Sequence, residues 1–278
     1  MDYKIIASDL DKTLLGEDQE VSDQNWQAIE KLHEMGVQFV PASGRAFGEM
    51  PEQLRESPLF RYYITSDGTM VYDKKTGMTH ELAMSRELGH WVLDTVYKYD
   101  ICMMLHTDTK SYVEETTHNA KDYRAFHMND YWVDFSLSKE VPVRDLKSFA
   151  YSLPAIQLVV PFFRNMEDLN ACRAILEKEP GLLISQTDPY NLEIYSSQAG
   201  KGNALKLLAD VINVDVNATI AVGDSTNDST MVQAAGLGLA VENAVPELKA
   251  VADAVICDHR EHVAKFILEN YISGHKGK

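Results

Sequence analysis

Two aspartates that stand two positions apart close the first apolar run of the chain. The run Lys4–Leu10 is typical of a buried parallel strand opening onto a loop, and Asp9 and Asp11 stand where it ends. Residues i and i+2 of an extended segment point to the same side, so the two carboxylates can converge. Two like charges so close need a cation, and Mg²⁺, which binds carboxylates together with substrate phosphates, meets that need. Because Asp-x-Asp is also common in solvated loops, the pair indicates a site only together with other residues.

A second acidic pair follows another apolar run, late in the chain. Asp224 and Asp228 come directly after Thr219–Gly223, which is typical of a strand. In an open α/β sheet, ligands bind beyond the carboxyl ends of the strands, so both pairs are expected to share one crevice. Four carboxylates there would cost several kcal/mol in repulsion and desolvation without a cation. The sequence therefore predicts a magnesium site.

Two further segments offer groups that bind anions. Ser43-Gly44 stands at a strand-to-helix junction with a hydroxyl and backbone N–H groups, and Lys201 opens a helix after Gly200. Taken singly, Ser43 is more often a helix cap and Lys201 a surface lysine. Together with the acidic pairs, they indicate a site for a phosphoryl group.

The elements that must position these residues alternate between strand and helix at both ends of the chain. At the amino end, Lys4–Leu10, a helix over Ser22–Met35 and a strand over Val37–Ala42 form a β-α-β unit. Later segments repeat the alternation, namely a helix over Gly202–Ile212, a strand over Thr219–Gly223, a helix over Asn227–Ala235, and strands over Leu237–Val241 and Ala254–Cys257. This pattern predicts an α/β fold with a doubly wound parallel sheet.

A long segment separates the two halves of this pattern. Between Arg45 and Lys201 lie 155 residues, whereas a parallel crossover needs only about a dozen. We expect a core formed by residues 1–83 and 191–278, with an α+β domain of residues 84–190 inserted in it. The insertion is rich in aromatic residues, which could stack on a substrate ring but more commonly pack as a small core: Tyr112, Tyr123, Phe126, His127, Tyr131 and Trp132.

Composition excludes several classes of protein. Of 278 residues, 42 are acidic and 26 basic, and the net charge of −16 would repel nucleic acids and anionic membrane surfaces. The three cysteines are far apart and show neither a disulfide framework nor zinc-ligand spacing. Since there is also no apolar run of about 18 residues, we expect a cytoplasmic protein, either a monomer or a small homo-oligomer.

Four segments resemble, in order, the motifs of the haloacid dehalogenase superfamily, and within it those of the Cof-type phosphatases. They are Asp9-Leu10-Asp11-Lys12-Thr13, Ala42-Ser43-Gly44-Arg45, Lys201-Gly202 and Gly223-Asp224-Ser225-Thr226-Asn227-Asp228. The resemblance implies a Rossmann-like core with a large inserted α/β cap that contacts the leaving group. Two positions depart from the family pattern: Lys12 stands where glycine is common, and Ser66-Asp67-Gly68 stands where Asn-Gly is frequent.

The resemblance also implies a role for each motif residue. Asp9 would attack phosphorus and form an aspartyl-phosphate, and Asp11 would protonate the leaving oxygen and then deprotonate the attacking water. Mg²⁺ would be held by Asp9, Asp224 and the backbone carbonyl of Asp11, with Asp228 ordering the surroundings of the metal. Arg45 would be a further supporting residue of the site. The phosphoryl oxygens would be held by Ser43, Lys201, Asn227 and the backbone N–H groups of Leu10 and Gly44.

These expectations favour a Mg²⁺-dependent phosphatase of small phosphorylated metabolites, either a sugar phosphate or a phosphorylated cofactor. A phosphomutase of the same superfamily is the alternative, since it would use the same residues but retain the phosphoryl group. A receiver-like signalling module also clusters acids, a hydroxyl and a lysine, but it would need only about 120 residues. A catalytically inactive binding protein is disfavoured because every group that the chemistry needs is present.

Overall fold

The computed structural model describes residues 2–107 and 109–273, in which short strands and helices alternate. The strands are β1 (Ile5–Ser8), β2 (Gln38–Pro41), β3 (Tyr62–Thr65), β4 (Met70–Asp73), β5 (Met78–Glu81), β6 (Met84–Ser85), β7 (Ile101–Thr107), β8 (Lys110–Glu114), β9 (Val141–Val143), β10 (Ala155–Ile156), β11 (Leu158–Phe163), β12 (Leu182–Ser185), β13 (Glu193–Ser196), β14 (Thr219–Gly223), β15 (Leu237–Ala240) and β16 (Ala254–Val255). The helices are α1 (Asp23–Glu34), α2 (Glu52–Glu56), α3 (Arg86–Val96), α4 (Ala120–Ala125), α5 (Asp130–Lys139), α6 (Leu146–Ser152), α7 (Met166–Leu176), α8 (Lys201–Val211), α9 (Ser229–Ala234), α10 (Pro246–Lys249) and α11 (Val263–Ile267).

The chain divides into two compact units. The first comprises the chain up to Gly44, the segment Met50–His80 and the chain from Gly200 onward. The second comprises Arg45–Glu49 and Glu81–Ala199.

The first unit is built on a parallel sheet of five strands in the order β16-β15-β14-β1-β2. Every residue of β1 and β14 is buried, which is why both segments read as continuous apolar runs rather than alternating ones. The predicted parallel α/β sheet is thereby confirmed. Its central pairing, with Ser8 opposite Val222, brings the ends of β1 and β14 to one edge.

Strands β3, β4 and β5 form a separate sheet in the first unit. Tyr62–Thr65 pairs antiparallel with Met70–Asp73, and the turn that joins these strands, Ser66–Gly68, is buried. A parallel bridge between Ala42 and Ile64 links the end of β2 to β3. This sheet therefore adjoins the segment that carries Ser43 and Gly44.

The second unit contains a sheet of six strands in the order β12-β13-β11-β7-β8-β9. Its pairs are antiparallel except for β8 with β9. Alternate residues of β7 point to opposite faces. Met103 and Leu105 therefore join one buried apolar cluster, while Cys102 and Met104 join another.

Most of the aromatic residues that the sequence analysis named in the insertion pack within the second unit. Tyr123 and Phe126 are buried in one of its apolar clusters, and Trp132 packs against the same cluster. Tyr112 packs against the other cluster, and the His127 ring stacks on Tyr190 at 3.9 Å. His127 and Tyr131 are nevertheless exposed, and 46% of the Tyr131 surface is accessible.

The borders of the units differ from the expected 83/84 and 190/191. Residues 191–199 belong to the second unit because β13 pairs with both β11 and β12. Residues 45–49 also belong to it, and the N–H of Gly48 donates to the Thr109 carbonyl at 2.8 Å. Neither pairing can be read from local sequence, because each joins segments far apart in the chain.

Several element ends also differ from the expected ones. β1 ends at Ser8 rather than Leu10, because Leu10–Leu14 forms a turn in which Lys12 has a φ of 56°. The helix expected over Asn227–Ala235 is a 3₁₀ turn over Thr226–Asp228 followed by α9. No helix within residues 2–107 and 109–273 is long and apolar enough to cross a membrane.

Candidate active site

Three carboxylates converge at the edge where β1 and β14 end. One oxygen from each of Asp9, Asp224 and Asp228 lies within 4.8 Å of the others. The sheet places them, since the N–H of Asp9 donates to the Val222 carbonyl at 2.9 Å and so continues the pairing of β1 with β14. The acidic residues that stand far apart in sequence are therefore adjacent in the structure, as expected.

Lys201 is the cation of this cluster. Its side chain is fully buried, and its Nζ donates to Asp9 Oδ1 at 2.7 Å and to Asp228 Oδ1 at 2.6 Å. Gly200, with a φ of 100°, lets the chain turn sharply into α8, which begins with Lys201 itself. Burial lowers the pKa of Lys201, but the neighbouring Asp228 and Asp9 outweigh it and hold that pKa well above its usual range. The lysine is therefore charged.

Asp228 organises the loop that carries Asp224. Its Oδ2 accepts hydrogen bonds from the backbone N–H groups of Asp224 at 3.0 Å and Ser225 at 3.1 Å, while Oδ1 binds Lys201. Gly223 makes room for it, because a Cβ there would lie 2.4 Å from the Asp228 carboxyl. Because both oxygens are already bonded, Asp228 is better suited to holding the loop than to ligating a metal.

The remaining carboxylates are short of positive charge. Burial raises the pKa of Asp9 well above its usual value; Lys201 opposes this, and Asp228, Asp224 and Asp11 add to it. Burial, followed by the charge of Asp228, raises the pKa of Asp224 to about 7. When all three clustered carboxylates are ionised, one lysine leaves them with a net negative charge, and hard oxygen ligands of this kind are what a divalent cation such as Mg²⁺ prefers. The donor set therefore fits a divalent cation held by Asp9 and Asp224.

Asp11 and its neighbour Lys12 lie in the turn after β1. The Asp11 side chain is half-buried and does not belong to the group of three carboxylates that lie within 4.8 Å of one another. Lys12, which stands where the family often has glycine, adopts the left-handed conformation that glycine adopts without strain. Lysine therefore occupies a backbone conformation here that glycine would adopt at lower cost.

Ser43 and Gly44 lie beside the end of β1. The N–H of Ala42 donates to the Ser8 carbonyl at 2.8 Å, and the N–H of Ser43 donates to the Ile64 carbonyl at 2.9 Å. Ser43 itself is buried. These bonds fix the segment next to the residues that precede Asp9, where a phosphoryl site is expected.

Arg45 is placed differently from the other motif residues. Its guanidinium donates to the Tyr131 hydroxyl at 2.9 Å and lies 5.1 Å from the centre of the Phe135 ring, all within the second unit. The supporting role expected for it stays a prediction, and these two contacts are with aromatic residues of α5.

One buried carboxylate near the site was not among the expected residues. Asp67 is 1% exposed, and its Oδ1 accepts a hydrogen bond from Asn227 Nδ2 at 2.9 Å. The sequence pointed to this position only in that Ser66-Asp67-Gly68 stands where the family frequently has Asn-Gly. It could not show that Asp67 contacts Asn227.

Known proteins resemble this chain over nearly its whole length. Residues 6–267 match the family of haloacid dehalogenase-like hydrolases. Phosphatase YwpJ of Bacillus subtilis is 27% identical over 97% of this chain and 100% of its own length. The 5-amino-6-(5-phospho-D-ribitylamino)uracil phosphatase YwtE of B. subtilis is 26% identical over 98% of this chain and 99% of its own. Among solved structures, a haloacid dehalogenase-like hydrolase from B. subtilis covers 97% of this chain and 100% of that one, with a TM-score of 0.79 and 26% identity.

Proposed function

The chain belongs to the family of haloacid dehalogenase-like hydrolases, and from this premise we propose that it is a Mg²⁺-dependent phosphatase that works through an aspartyl-phosphate on Asp9. The observation that carries the proposal is the cluster of Asp9, Asp224 and Asp228 around a fully buried Lys201. Phosphoryl transfer needs little covalent chemistry from the protein beyond a nucleophile, because positioning and charge stabilisation supply most of the catalysis. This cluster offers a nucleophile in Asp9 and a positive charge in Lys201.

The first half of the reaction transfers the phosphoryl group to the protein. An Asp9 oxygen attacks phosphorus, the bond from phosphorus to the leaving oxygen breaks, and Asp11 gives that oxygen its proton. Lys201 stabilises the charge that spreads over the phosphoryl oxygens, together with the Ser43 hydroxyl and the N–H groups of Leu10 and Gly44. Mg²⁺, held by Asp9, Asp224 and the Asp11 carbonyl, would supply further positive charge there.

The second half releases phosphate. Asp11, now ionised, takes a proton from a water molecule that attacks phosphorus, and the bond between phosphorus and Asp9 breaks. Asp11 thereby recovers its proton and Asp9 its negative charge, so the protein returns to its starting state. An acid at this position suits both halves of the cycle.

The substrate class proposed is a small phosphorylated metabolite, such as a sugar phosphate or a phosphorylated cofactor. The B. subtilis relative YwtE is named for a phosphorylated ribitylamino-uracil, a small molecule with both a sugar-like chain and a heterocyclic ring. A screen of phosphorylated metabolites in the presence of Mg²⁺ would identify the substrate of this chain.

The test is release of phosphate from a generic aryl phosphate, with Mg²⁺ and with a chelator. We expect turnover only with Mg²⁺, and none for Asp9→Asn, because an amide oxygen is a far weaker nucleophile than a carboxylate. Asp210→Asn removes an exposed carboxylate from α8 and serves as the matched control, with unchanged turnover expected. Circular dichroism would show that Asp9→Asn is folded, and turnover by that folded variant would remove Asp9 from the nucleophile role.

A further inference from the structure

A turn in an unusual conformation lies beside the segments proposed to hold phosphate. Ser66, Asp67 and Gly68 have φ values of 48°, 53° and 80°, so three successive residues are left-handed. Side chains disfavour this conformation, and it persists only where the surrounding structure holds it. All three residues are buried at the end of β3.

The turn touches the backbone of both proposed anion-binding segments. The N–H of Asp67 donates to the Ser43 carbonyl at 3.2 Å, and a Cβ on Gly44 would lie 3.1 Å from Asp67 Oδ2. On the other side, a Cβ on Gly68 would lie only 2.5 Å from the backbone nitrogen of Lys201. The turn is therefore packed between the Ser43-Gly44 segment and the start of α8.

The Asp67 carboxylate reaches a third segment. Its Oδ1 accepts from Asn227 Nδ2 at 2.9 Å, while Asn227 Oδ1 lies 2.5 Å from the Ser225 hydroxyl. A carboxylate only accepts hydrogen bonds, so the NH₂ end of the Asn227 amide must face Asp67 and the carbonyl end must face Ser225. The amide is thus fixed in one of its two orientations, and no residue in the described part of the chain accepts its second N–H.

We propose that Asp67 is a positioning residue, which holds the Asn227 amide so that its second N–H is directed at the phosphoryl group. The inference rests on the proposed function for the assignment of the phosphoryl pocket. The terminal torsion of asparagine is broad and roughly two-fold, so without Asp67 the amide can turn over. It would then present its oxygen to an anion, and attraction would become repulsion.

The inference is tested with four variants assayed on an aryl phosphate with Mg²⁺. Asp67→Ala is expected to lose at least about tenfold in kcat/KM, in line with the loss of one phosphoryl donor. Asp67→Asn is expected to stay within about threefold of wild type, because its amide oxygen still accepts from Asn227. Adding Asp67→Ala to Asn227→Ala is expected to cost nothing more, since Asn227→Ala already removes the N–H that Asp67 positions.

A spectroscopic readout separates positioning from a general loss of stability. The side-chain NH₂ signal of Asn227 in a ¹H–¹⁵N spectrum is assigned by its absence from Asn227→Ala. It is expected to shift in Asp67→Ala and to persist in Asp67→Asn. The control is Asp73→Asn, which removes a carboxylate from the same β3–β4 hairpin, where it pairs with Arg61. This control should leave both kcat/KM and the Asn227 signal unchanged.

The outcomes distinguish this inference from the proposed function. A wild-type protein without turnover contradicts the proposed function, whereas an active wild type with an equally active Asp67→Ala contradicts the positioning role. Additive losses in the double variant, or an Asp67→Asn as impaired as Asp67→Ala, also overturn it. If Asp67→Ala does not fold, the double variant Asp67→Asn with Asn227→Asp replaces it. This variant keeps a hydrogen bond between the two positions but offers no donor at position 227. Activity equal to that of wild type would then refute the proposal.

Discussion

Lys201 is the residue on which the electrostatics of the site depend. It is fully buried between Asp9 and Asp228, so its removal leaves two buried carboxylates without a cation. Breaking a buried pair by removing one partner typically costs roughly 3–5 kcal/mol of stability, and losing one transition-state donor lowers kcat about 10²–10³-fold. We therefore expect Lys201→Met to reduce both the urea midpoint and kcat/KM on an aryl phosphate.

The matched control for this prediction lies on the same helix. Lys206→Met changes an exposed lysine of α8 and should leave both measurements within error. If Lys201→Met retained the wild-type kcat/KM, Lys201 would not contact the phosphoryl group.

Sequence could predict those site residues that follow strands of the core. Asp9 and Asp224 were expected at one edge because their strands read as buried, and buried parallel strands end at a common edge. Asp67 was not expected to meet Asn227, because 160 positions separate them and the contact depends on a turn whose conformation no local pattern specifies. Arg45 was expected as a supporting residue from its place in a motif, and the sequence could not show that its guanidinium contacts Tyr131 and Phe135.

At the scale of elements, close packing of α8 against α9 requires a glycine. A Cβ on Gly202 would lie 2.2 Å from the carbonyl oxygen of Thr230, so the two helices could not keep their separation. In an open helix, replacing glycine by alanine stabilises by up to about 1 kcal/mol. Here we expect Gly202→Ala to lower the melting temperature and kcat/KM together, because Lys201 is the adjoining residue.

Lys206→Ala places an alanine at an exposed position of the same helix and serves as the control. This variant introduces the helix preference of alanine without a contact to Thr230, so the melting temperature of Lys206→Ala should be close to that of wild type. A Gly202→Ala protein as stable as this control would show that α8 and α9 can shift apart at no cost.

Element order was predictable from sequence, but the borders of the units were not. The core strands are apolar runs that alternate with amphipathic helices, and these patterns are local. Membership of β13 in the second unit depends instead on its pairing with β11 and β12. The sequence of a four-residue strand does not show which sheet it joins. Residues 191–199 were therefore expected in the core, whereas the structure groups them with the second unit.

At the scale of the whole molecule, the excess of acidic residues extends into the interior of the second unit. Glu140 is 7% exposed and accepts a hydrogen bond from the Tyr123 hydroxyl at 3.3 Å, and the buried Glu49 lies in the same unit. Burial, followed by the charge of Glu49, raises the pKa of Glu140 to about 8. At neutral pH this carboxyl is therefore protonated to a greater extent in the folded protein than in the unfolded chain.

This carboxyl makes the stability of the protein depend on pH. In the unfolded chain Glu140 ionises near pH 4.3, so between about pH 4.3 and pH 8 the unfolded state binds fewer protons and the free energy of unfolding falls as pH rises. Glu140→Gln cannot ionise, so its stability relative to wild type should increase across this window, by at most about 1.4 kcal/mol per pH unit, and level off above pH 8. Urea unfolding followed by tryptophan fluorescence, which includes that of Trp91 and Trp132, measures this difference in the free energy of unfolding. The exposed Glu177→Gln is the control. A difference between Glu140→Gln and wild type that stays constant from pH 4 to pH 9 would show that Glu140 ionises in the folded protein as it does in water.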